Sequence, residues 1–562
     1  MHACIALVAA DVSVVDTTAQ LPWLRGLTRK GNHMIQQALR SGARQAVAQL
    51  RAMAGRSAGK QVVIIGAGPG GLATAMLLAA NGADVTLLER EDRVGGRTSS
   101  LVMDGFTFDL GPTFFLYPEI LAEIFAACGR RFEDEVDLVR LDPMYRLIFE
   151  SGGSILASHD VDKLQAEVAR FDEDDAKQVP AFLEANRIKF DAFRPLLQRP
   201  FASLRDLTHP DVLKALPLMR PFSSVDTDLK RWFNHPQVRL AFSFQSKYLG
   251  MSPFKCPSLF TILSHVEHGF GVFHPIGGCG AISQAMARVA RDTGVDIRLS
   301  EPVARIEFDG RKAVGAITGQ GFYPADAMVV NADFAGAMHK MVPDRLRRKW
   351  TDARIEKKQY SCSTCMLYIG LEGSYPALHH HTIHLSADYL DDIRAIEDQR
   401  APVDPTLYIQ NASQTDPTLA PAGHSTIYML APVGNLAPDG GPMDWAEAGP
   451  RYRELMLNRL AGLIGIERTD LDTRIKTEHM ITPADWATRY AIYRGATFNL
   501  AHNIGQMLHW RPNNRFEDLE RVYLTGGGTH PGSGLPTIFE SARIAASLID
   551  DDLHLSRQGV LS

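Results

Sequence analysis

The glycine-rich run GAGPGG at residues 66–71 constrains the fold of this chain more than any other part of its sequence. It follows a short apolar strand at residues 62–65 and opens an apolar helix at residues 72–80. In such a βαβ unit, the first glycine permits a tight turn, the second lets the backbone approach a pyrophosphate, and the third lets the helix pack closely on the strand. The run therefore predicts a dinucleotide-binding turn. The glycines predicted to form it are Gly66, Gly68, Gly70 and Gly71.

An acidic residue at the end of the next predicted strand supports this interpretation. Glu89 follows the apolar strand at residues 85–88 and lies 18 residues after Gly71. About 20 residues are expected before the carboxylate that binds the ribose hydroxyls, and a carboxylate there disfavours the 2′-phosphate of NADP. Apolar strands that alternate with helices, here and again at residues 328–330 and 522–524, predict a Rossmann-type α/β domain with a parallel sheet covered on both faces.

The stretch EDRVGGR at residues 91–97 distinguishes FAD from NAD. It resembles the segment ending in GGR that follows the second strand in FAD proteins of the amine-oxidase and desaturase type. Gly96 lets the loop fold back towards the dinucleotide, and Arg97 offers a forked donor to a phosphate. The stretch FDLGPT at residues 108–113 resembles the DxGPT pattern of the same proteins, which implies that Gly111 and Pro112 lie close to the flavin.

The stretch YLTGGGTHPGSGLP at residues 523–536 closely resembles a segment of the bacterial phytoene and diapophytoene desaturases. The resemblance runs from about residue 61 to residue 550. It implies that Gly527, Gly528, Thr529 and Leu535 contact FAD, at the start of a helix whose positive N-terminal end faces the flavin. Wider FAD families often place an acidic residue after this strand. This chain has three glycines there instead, and the desaturase subgroup also tends to lack the acidic residue.

The same resemblance implies the chemistry and two further site residues. Val303 would contact the adenine through its backbone, and Arg146, in the stretch MYRL at residues 144–147, is the predicted catalytic residue. The implied reaction is desaturation of a long polyene, phytoene or diapophytoene, by hydride transfer to FAD. A quinone or oxygen is the expected electron acceptor. The sequence contains no convincing general base.

A water-insoluble polyene requires a long apolar tunnel fed from a membrane surface. The sequence has no stretch of about 20 apolar residues that would span a bilayer, so the chain is expected to lie on a membrane without crossing it. The region from about residue 160 to residue 263 is helical in pattern and rich in aromatic residues. The candidates to line the entrance are Trp232, Phe233, Phe242, Phe244, Tyr248, Phe254 and Phe260.

Charge and cysteine content indicate the compartment. The formal net charge is −5, and nothing in the composition points to a nucleic-acid partner. The first 60 residues carry eight basic and two acidic side chains, and residues 35–53 have the periodicity of a basic amphipathic helix. Such a helix could contact a membrane, form part of a targeting leader or pack on the rest of the protein. Alternatively, translation starts at a later methionine, Met34 or Met53. Six cysteines in 562 residues indicate a reducing compartment. The predicted location is cytoplasmic, peripheral at the inner face of the cytoplasmic membrane.

Two clusters of potential metal ligands are interpreted as structural. Cys362 and Cys365 form a CxxC at the start of a predicted apolar strand. This position predicts that both are ordinary core cysteines. The histidines at 379, 380, 381 and 384 fall in a segment that matches the desaturases, and no metal site is predicted there.

The predicted fold class is α/β, with a discontinuous Rossmann-type FAD-binding domain, a mixed or antiparallel-sheet substrate domain and a helical membrane-facing region. Strand-like runs between residues 360 and 435 predict the second sheet. The predicted divisions are a leader at 1–57, an FAD-binding domain at 58–150, 271–335 and 515–552, a substrate-entry region at 151–270, a substrate domain at 336–514 and a tail at 553–562.

Alternatives remain on the same scaffold. Carotenoid isomerases, ketolases, terminal oxygenases and retinol saturases share these motifs. A flavin-less lipid escort protein is the non-enzyme alternative, which the intact glycine-rich run, Glu89 and Arg97 argue against.

Overall fold

The computed structural model describes residues 59–220, 222–438 and 443–555 of the 562-residue chain. The predicted leader at 1–57, with its amphipathic helix, and most of the predicted tail lie outside the described residues. Strands and helices are numbered below in chain order.

The predicted dinucleotide-binding domain is built on a parallel sheet. Its five strands are β1 (Gln61–Ile65), β2 (Asp84–Leu88), β10 (Asp296–Arg298), β14 (Ala327–Val330) and β20 (Val522–Leu524). They pair in the order β10-β2-β1-β14-β20, and every pair is parallel. β14 is buried along its whole length because both faces of the sheet are covered, which explains its continuous apolar sequence. The predicted Rossmann-type sheet is confirmed.

Three helices pack around this sheet and set the position of the glycine-rich turn. They are α1 (Pro69–Ala80), α9 (Cys279–Asp292) and α16 (Leu535–Leu553). α1 packs against both of the others. α1 and α16 each have a proline in the first turn, where a missing N–H leaves no hydrogen bond unmade.

The second predicted sheet is present and has seven strands. They are β7 (Tyr145–Phe149), β8 (Ser154–Ala157), β15 (Ser363–Glu372), β16 (His381–Leu385), β17 (Leu407–Gln410), β18 (His424–Val433) and β19 (Ile475–Ile481). The order is β19-β15-β18-β17-β16-β7-β8, antiparallel except for the β16–β7 pair. β7 lies within the predicted FAD-binding segment 58–150, yet it belongs to this sheet because it pairs with β8 and β16. The local sequence does not reveal the pairing with β16, which lies far along the chain.

Three smaller antiparallel sheets complete the strand structure. Their strands are β3 (Ser100–Met103) with β4 (Phe106–Asp109); β5 (Phe115–Leu116), β9 (Val272–Pro275) and β6 (Leu138–Arg140); and β11 (Val303–Asp309), β12 (Lys312–Thr318) and β13 (Gly321–Pro324).

The region from about residue 160 to residue 263, which the sequence predicts to be helical, is confirmed as helical. After α2 (Glu119–Ala127) it contains α3 (Val161–Ala169), α4 (Glu173–Leu197), α5 (Pro210–Met219), α6 (Val225–Leu229), α7 (Pro236–Ala241) and α8 (Ile262–His265). The aspartates Asp160 and Asp172 cap α3 and α4 by accepting hydrogen bonds from backbone N–H groups of the first turn. Among the described helices, none has both the length and the apolar character needed to cross a bilayer.

The remaining helices flank the sheets. They are α10 (Phe334–Met341), α11 (Asp352–Glu356), α12 (Tyr389–Glu397), α13 (Trp445–Ile464), α14 (Arg468–Arg474) and α15 (Pro483–Thr488).

Candidate functional site

A single cavity of about 1470 Å³ connects the glycine-rich turn with the seven-stranded sheet. Its polar end lies at the carboxyl ends of β1, β2, β14 and β20, where Gly66, Glu89, Asn331 and Gly526 line the wall. Ligands of open α/β sheets bind outside the carboxyl ends of the strands, where the connections diverge. The cavity therefore occupies the position expected of a dinucleotide site.

Backbone geometry explains the glycines of the first turn. Gly66 has φ +99°, which side chains rarely adopt, and a Cβ on Gly71 would lie 2.1 Å from the carbonyl oxygen of Gly66. Gly66, Gly68 and Gly70 line the cavity, whereas Gly71 does not. Gly71 thus serves the close packing of helix and strand that the sequence predicts for the last glycine, and the other three contribute to the cavity wall.

Glu89 ties the first turn to the end of β2. Its Oε2 accepts a hydrogen bond from the backbone N–H of Ala67 at 2.6 Å, and its Oε1 accepts one from Glu91 N at 2.9 Å. Burial raises the pKa of the Glu89 carboxyl, and these backbone hydrogen bonds partly offset the rise. The carboxylate lines the cavity, where its remaining lone pairs can accept hydrogen bonds from ribose hydroxyls.

Arg97 reaches the cavity together with an acid that the sequence reasoning missed. Its Nη1 donates to the carbonyl oxygen of Thr497 at 2.5 Å. Burial lowers the pKa of Arg97 and raises that of Asp333, while the attraction between the two charges acts against both shifts. Asp333 follows the buried strand β14 in the stretch Asn331-Ala332-Asp333, and this position at the carboxyl end of a strand was the signal that would have identified it.

The loop after β4 passes close to Arg97. A Cβ on Gly111 would lie 2.7 Å from the carbonyl oxygen of Arg97, so the glycine is required for the close approach. The carbonyl oxygens of Leu110 and Gly111 accept hydrogen bonds from the hydroxyls of Tyr368 and Tyr428, which belong to the seven-stranded sheet. Gly111 and Pro112 both line the cavity, and their closeness to the flavin stays a prediction.

The loop after β20 forms the opposite wall. Gly527, Gly528 and Leu535 line the cavity, and α16 begins there with an N-cap glycine, Gly534, that supplies no side-chain hydrogen bond. The helix N-terminus thus presents free N–H groups and a partial positive charge to the cavity. Thr529 lies behind this wall, and its hydroxyl donates to the carbonyl oxygen of Pro512.

A buried arginine, also missed from the sequence, holds the shape of this loop. Arg511 is fully buried, and its guanidinium donates to the carbonyl oxygens of Gly527 at 2.7 Å and Thr529 at 3.1 Å. Burial lowers the pKa of Arg511 to about 9. No motif distinguishes Arg511, since its role depends on carbonyl groups brought to it by the fold.

Val303 lies at the predicted adenine end. It is the buried first residue of β11 and lines the cavity. Its contact with the adenine stays a prediction.

The other end of the cavity is aromatic and is centred on Phe114. The ring of Phe114 stacks on His381 with centroids 4.1 Å apart and lies within 5.6 Å of the rings of Tyr248 and Tyr408. Of the aromatic residues predicted for the entrance, Phe244, Tyr248 and Phe260 line the cavity. Trp232, Phe233, Phe242 and Phe254 do not. The first three pack around Phe182 in a separate core. Phe254 packs against the main core.

Arg146 is placed apart from the cavity. It lies on β7 with its Nη2 3.5 Å from Ser154 Oγ, and it does not contribute to the cavity wall. The alternation of β7 buries its neighbours Tyr145 and Leu147 and directs Arg146 to the other face. Its predicted catalytic role stays a prediction, without a contact that supports it.

The cysteine and histidine clusters have structural partners. Burial raises the pKa of the Cys362 thiol to about 12, and Cys365 is buried in β15. His381 Nδ1 and the hydroxyl of Tyr408 are 2.7 Å apart, and His384 Nε2 lies 3.0 Å from Glu150. Within the described residues, no group of three or more His, Cys, Asp and Glu side chains is placed to hold a metal ion.

Residues 69–550 match the model of a family described as flavin containing amine oxidoreductase. Over 492 residues the chain is 43% identical to the 4,4′-diapophytoene desaturase (4,4′-diapolycopene-forming) of a Methylomonas species, which covers 87% of this chain and 95% of that protein. Over 510 residues it is 36% identical to the zeta-carotene-forming phytoene desaturase of Myxococcus xanthus, which covers 90% of this chain and 97% of that protein.

Solved structures with the same fold are more distant. An oxidoreductase from Methanosarcina mazei superposes with a TM-score of 0.57 at 18% identity, covering 87% of this chain and 100% of that one. Cyclohexylamine oxidase from Brevibacterium oxydans superposes with a TM-score of 0.55 at 18% identity, covering 88% and 100%. At this identity the likeness shows the fold alone.

Proposed function

This chain belongs to the carotenoid desaturases of the flavin-containing amine oxidoreductase family, and we propose that it introduces double bonds into a long acyclic polyene of the diapophytoene or phytoene class. One observation carries the proposal. The cavity runs without interruption from a dinucleotide-binding turn, past the N-terminus of α16, to a wall of aromatic rings. A substrate without polar groups is recognised by such a wall through apolar contact alone.

The residues present fit FAD. Glu89 would hold the ribose, Arg97 and the N-terminus of α1 the phosphates, and Val303 the adenine. FAD supplies the hydride acceptor when it is bound. The N-terminus of α16, which has no side-chain cap, is oriented to stabilise negative charge that develops beside it. The aromatic end of the cavity orients the polyene and excludes water.

We further propose 4,4′-diapophytoene, the shorter C30 polyene, as the preferred substrate. Support comes from the higher identity to the Methylomonas diapophytoene desaturase than to the Myxococcus phytoene desaturase. A quinone or oxygen is the proposed final electron acceptor.

The test is incubation of purified, FAD-loaded protein with diapophytoene or phytoene in liposomes, with a quinone added. New long-wavelength absorption bands from extended conjugation are expected, faster with diapophytoene. Carbonyl-containing products would instead indicate an oxygenase, and a protein that takes up no flavin would contradict the proposal.

The proposed membrane-facing surface lies over α5 and the neighbouring loops. Large apolar side chains are exposed there, with Phe222 fully exposed and Leu213 and Leu216 about half exposed. α5 packs on α4, whose residues Phe190 and Phe193 line the cavity. A polyene could therefore pass from a bilayer to the cavity over a short apolar path. The proposed location is the inner face of the cytoplasmic membrane.

This surface can be tested with a matched pair of variants in the full chain. Leu213→Asp combined with Leu216→Asp is expected to reduce sedimentation with phosphatidylglycerol-containing vesicles. The control is Phe322→Asp, because Phe322 is exposed to a similar degree on β13 of another sheet. Equal sedimentation of both proteins would remove α5 from the proposed surface.

A further inference from the structure

The side chain of Asn331 lies against both glycine-rich loops of the nucleotide end, the turn at residues 66–71 and the loop at residues 526–528. Asn331 directly follows β14, and its backbone N–H donates to the carbonyl oxygen of Ile65 at 2.9 Å, which extends the hydrogen bonding between β1 and β14 by one residue. Its side-chain Nδ2 donates to the carbonyl oxygen of Gly66 at 3.1 Å, and the residue lines the cavity. The amide therefore lies where the first turn meets the cavity.

This amide explains a glycine that the dinucleotide-binding motif does not require. Gly70 occupies a variable position of the GxGxxG pattern and lies inside α1, where alanine would be the better helix former. A Cβ on Gly70 would lie 2.6 Å from Asn331 Oδ1, whereas the next atoms, in the side chains of Ile538 and Thr525, would be 3.1 Å away. The closest obstacle to a side chain at position 70 is therefore Asn331.

The same side chain contacts the loop after β20. A Cβ on Gly526 would lie 3.2 Å from Asn331 Oδ1, and a Cβ on Gly68 would lie 3.2 Å from Asn331 Nδ2. Apart from chain neighbours, no other atom of the described residues comes within 4 Å of either position. The loop that begins at Gly526 leads to Gly534, the N-cap of α16. One amide thus packs against the first turn and against the loop that leads to α16.

The nearby acid Asp333 does not share this position. Its Oδ2 accepts a hydrogen bond from Asn499 Nδ2 at 2.6 Å, and its Oδ1 accepts from the backbone N–H groups of Gly336 at 3.1 Å and Tyr493 at 3.3 Å. Within the described part of the chain, Asp333 makes no hydrogen bond to either glycine-rich loop. The link between the two loops therefore depends on Asn331.

We propose that Asn331 is a positioning residue for FAD, whose amide fixes the first turn and the loop after β20 relative to each other. The inference rests on the FAD-binding part of the proposed function. The pyrophosphate is expected at the first turn and the flavin at the N-terminus of α16, so one cofactor has to fit both loops at once. Loops that are already held at the right separation lose less freedom when FAD binds, and the affinity is higher for that reason.

The test is a double-mutant cycle on Asn331 and Gly70, with the Kd for FAD measured by titrating FAD-free protein and following the quenching of flavin fluorescence. Asn331→Ala removes the hydrogen bond to Gly66 and the contact with Gly526, and it is expected to raise the Kd about 10-fold. Gly70→Ala alone is expected to raise the Kd to a similar extent, because the new Cβ displaces the amide. In the double variant, Gly70→Ala is expected to add less than about twofold, because the atom it would meet is gone.

The cycle also shows what would overturn the inference. Effects of the two substitutions that multiply in the double variant would do so, as would wild-type affinity in Asn331→Ala. Gly71→Ala is the control for the suppression, because its Cβ would lie 2.1 Å from the carbonyl oxygen of Gly66 and Asn331→Ala leaves that obstacle in place. Restored FAD binding in the Gly71→Ala, Asn331→Ala protein would mean that the second substitution loosens the whole turn, and it would overturn the inference too.

Two further variants separate positioning from stability. Asn331→Asp keeps the size of the side chain, but at neutral pH its carboxylate cannot donate to the carbonyl oxygen of Gly66, so FAD binding is expected to weaken at least 10-fold. Asn186→Ala is the matched control, because the Nδ2 of Asn186 also donates to a backbone carbonyl, that of Phe182, in a buried part of α4 outside the cavity wall. It is expected to lower the melting temperature without changing the Kd. Wild-type affinity in Asn331→Asp, or an equal loss in Asn186→Ala, would contradict the inference.

Melting temperatures of the FAD-free proteins keep this inference separate from the proposed function. Gly70→Ala is expected to lower the melting temperature when Asn331 is present and to leave it unchanged in the Asn331→Ala background, since the clash with the amide is then absent. A decrease of equal size in both backgrounds would contradict the link between the two residues. A wild-type protein that takes up no FAD would instead contradict the proposed function, and the melting temperatures would still report on Asn331.

Discussion

At its nucleotide end the cavity is walled by backbone from short contiguous runs, whereas at its aromatic end it is walled by side chains from segments far apart in the chain. The glycines at 66–71 and 526–528 act through the absence of a side chain, and each group lies in one short run of sequence. Phe114, Tyr248 and Tyr408 meet only after three separate segments have packed together. The two ends therefore differ in how they tolerate change: the first is sensitive to a single added carbon, and the second to the loss of ring surface.

The sharpest way to test this difference is to add one methyl group at the nucleotide end. In Gly71→Ala the new Cβ would lie 2.1 Å from the carbonyl oxygen of Gly66, which belongs to backbone that cannot move without opening the turn. We expect protein without FAD, or insoluble protein. Flavin absorbance and circular dichroism of the purified protein measure the two outcomes.

A matched glycine provides the control for that variant. Gly462 lies within α13, and a Cβ there meets nothing within 4 Å. Gly462→Ala is expected to keep FAD and to be neutral or slightly stabilising, since alanine is the better helix former. Equal FAD content in both variants would show that the turn does not depend on close approach.

Much of the nucleotide end could be predicted from the sequence, because each motif there states a local requirement. Gly66, Glu89, Arg97, Gly111 and Leu535 were singled out in this way and all line the cavity, while their contacts with FAD stay predictions. Asp333 could have been identified too, since it lies shortly after the buried strand β14. Arg511 could not, because no local motif marks it. Arg511 binds carbonyl groups of residues 500, 527 and 529, which no local pattern brings together.

The sequence predicts that the other end of the cavity is aromatic, but it does not predict which aromatic residues line it. The helical, aromatic-rich segment was recognised, yet Phe233 and Phe242 face a separate core while Phe244 and Tyr248 face the cavity. Phe242 and Phe244 are only two positions apart, in short turns without a sustained period. Which side each ring faces is decided by the packing of α4 and the seven-stranded sheet, so composition alone could not assign it.

A second variant tests the ribose-binding role at the nucleotide end. Glu89→Ala removes the acceptor for Ala67 N–H and Glu91 N–H as well as the predicted ribose contact. Charged hydrogen bonds contribute about 1.5–3 kcal/mol each, so the Kd for FAD is expected to rise by about 100-fold. Titration of FAD-free protein with FAD, followed by quenching of flavin fluorescence, measures this. Asp92→Ala, an exposed change on the same loop, is the control and is expected to bind FAD as wild type does.

At the aromatic end, a change in ring surface should leave FAD in place. Phe114→Leu removes the stack on His381 and the contacts with Tyr248 and Tyr408. Aromatic pairs contribute about 0.5–1.5 kcal/mol each beyond burial, so we expect the KM for the polyene to rise by about 10-fold with normal flavin absorbance. Phe233→Leu is the matched control outside the cavity, expected to lower stability without changing KM. Loss of FAD from Phe114→Leu would show that the two ends are not independent.

The smallest expected effect concerns Arg146, which belongs to neither end. Its guanidinium lies on the face of β7 away from the cavity, with Ser154 as its hydrogen-bond partner at 3.5 Å. Its neighbour in the motif, Tyr145, is buried, and the Tyr145 hydroxyl donates to Glu267. Arg146→Ala is therefore expected to change turnover less than about twofold, as is usual for a surface substitution away from a site. Arg97→Ala, in the cavity wall, provides the contrast and should weaken FAD binding. A large loss of turnover in Arg146→Ala with FAD retained would restore the role predicted from the sequence, and would require the substrate to reach a face of the sheet that the cavity does not open to.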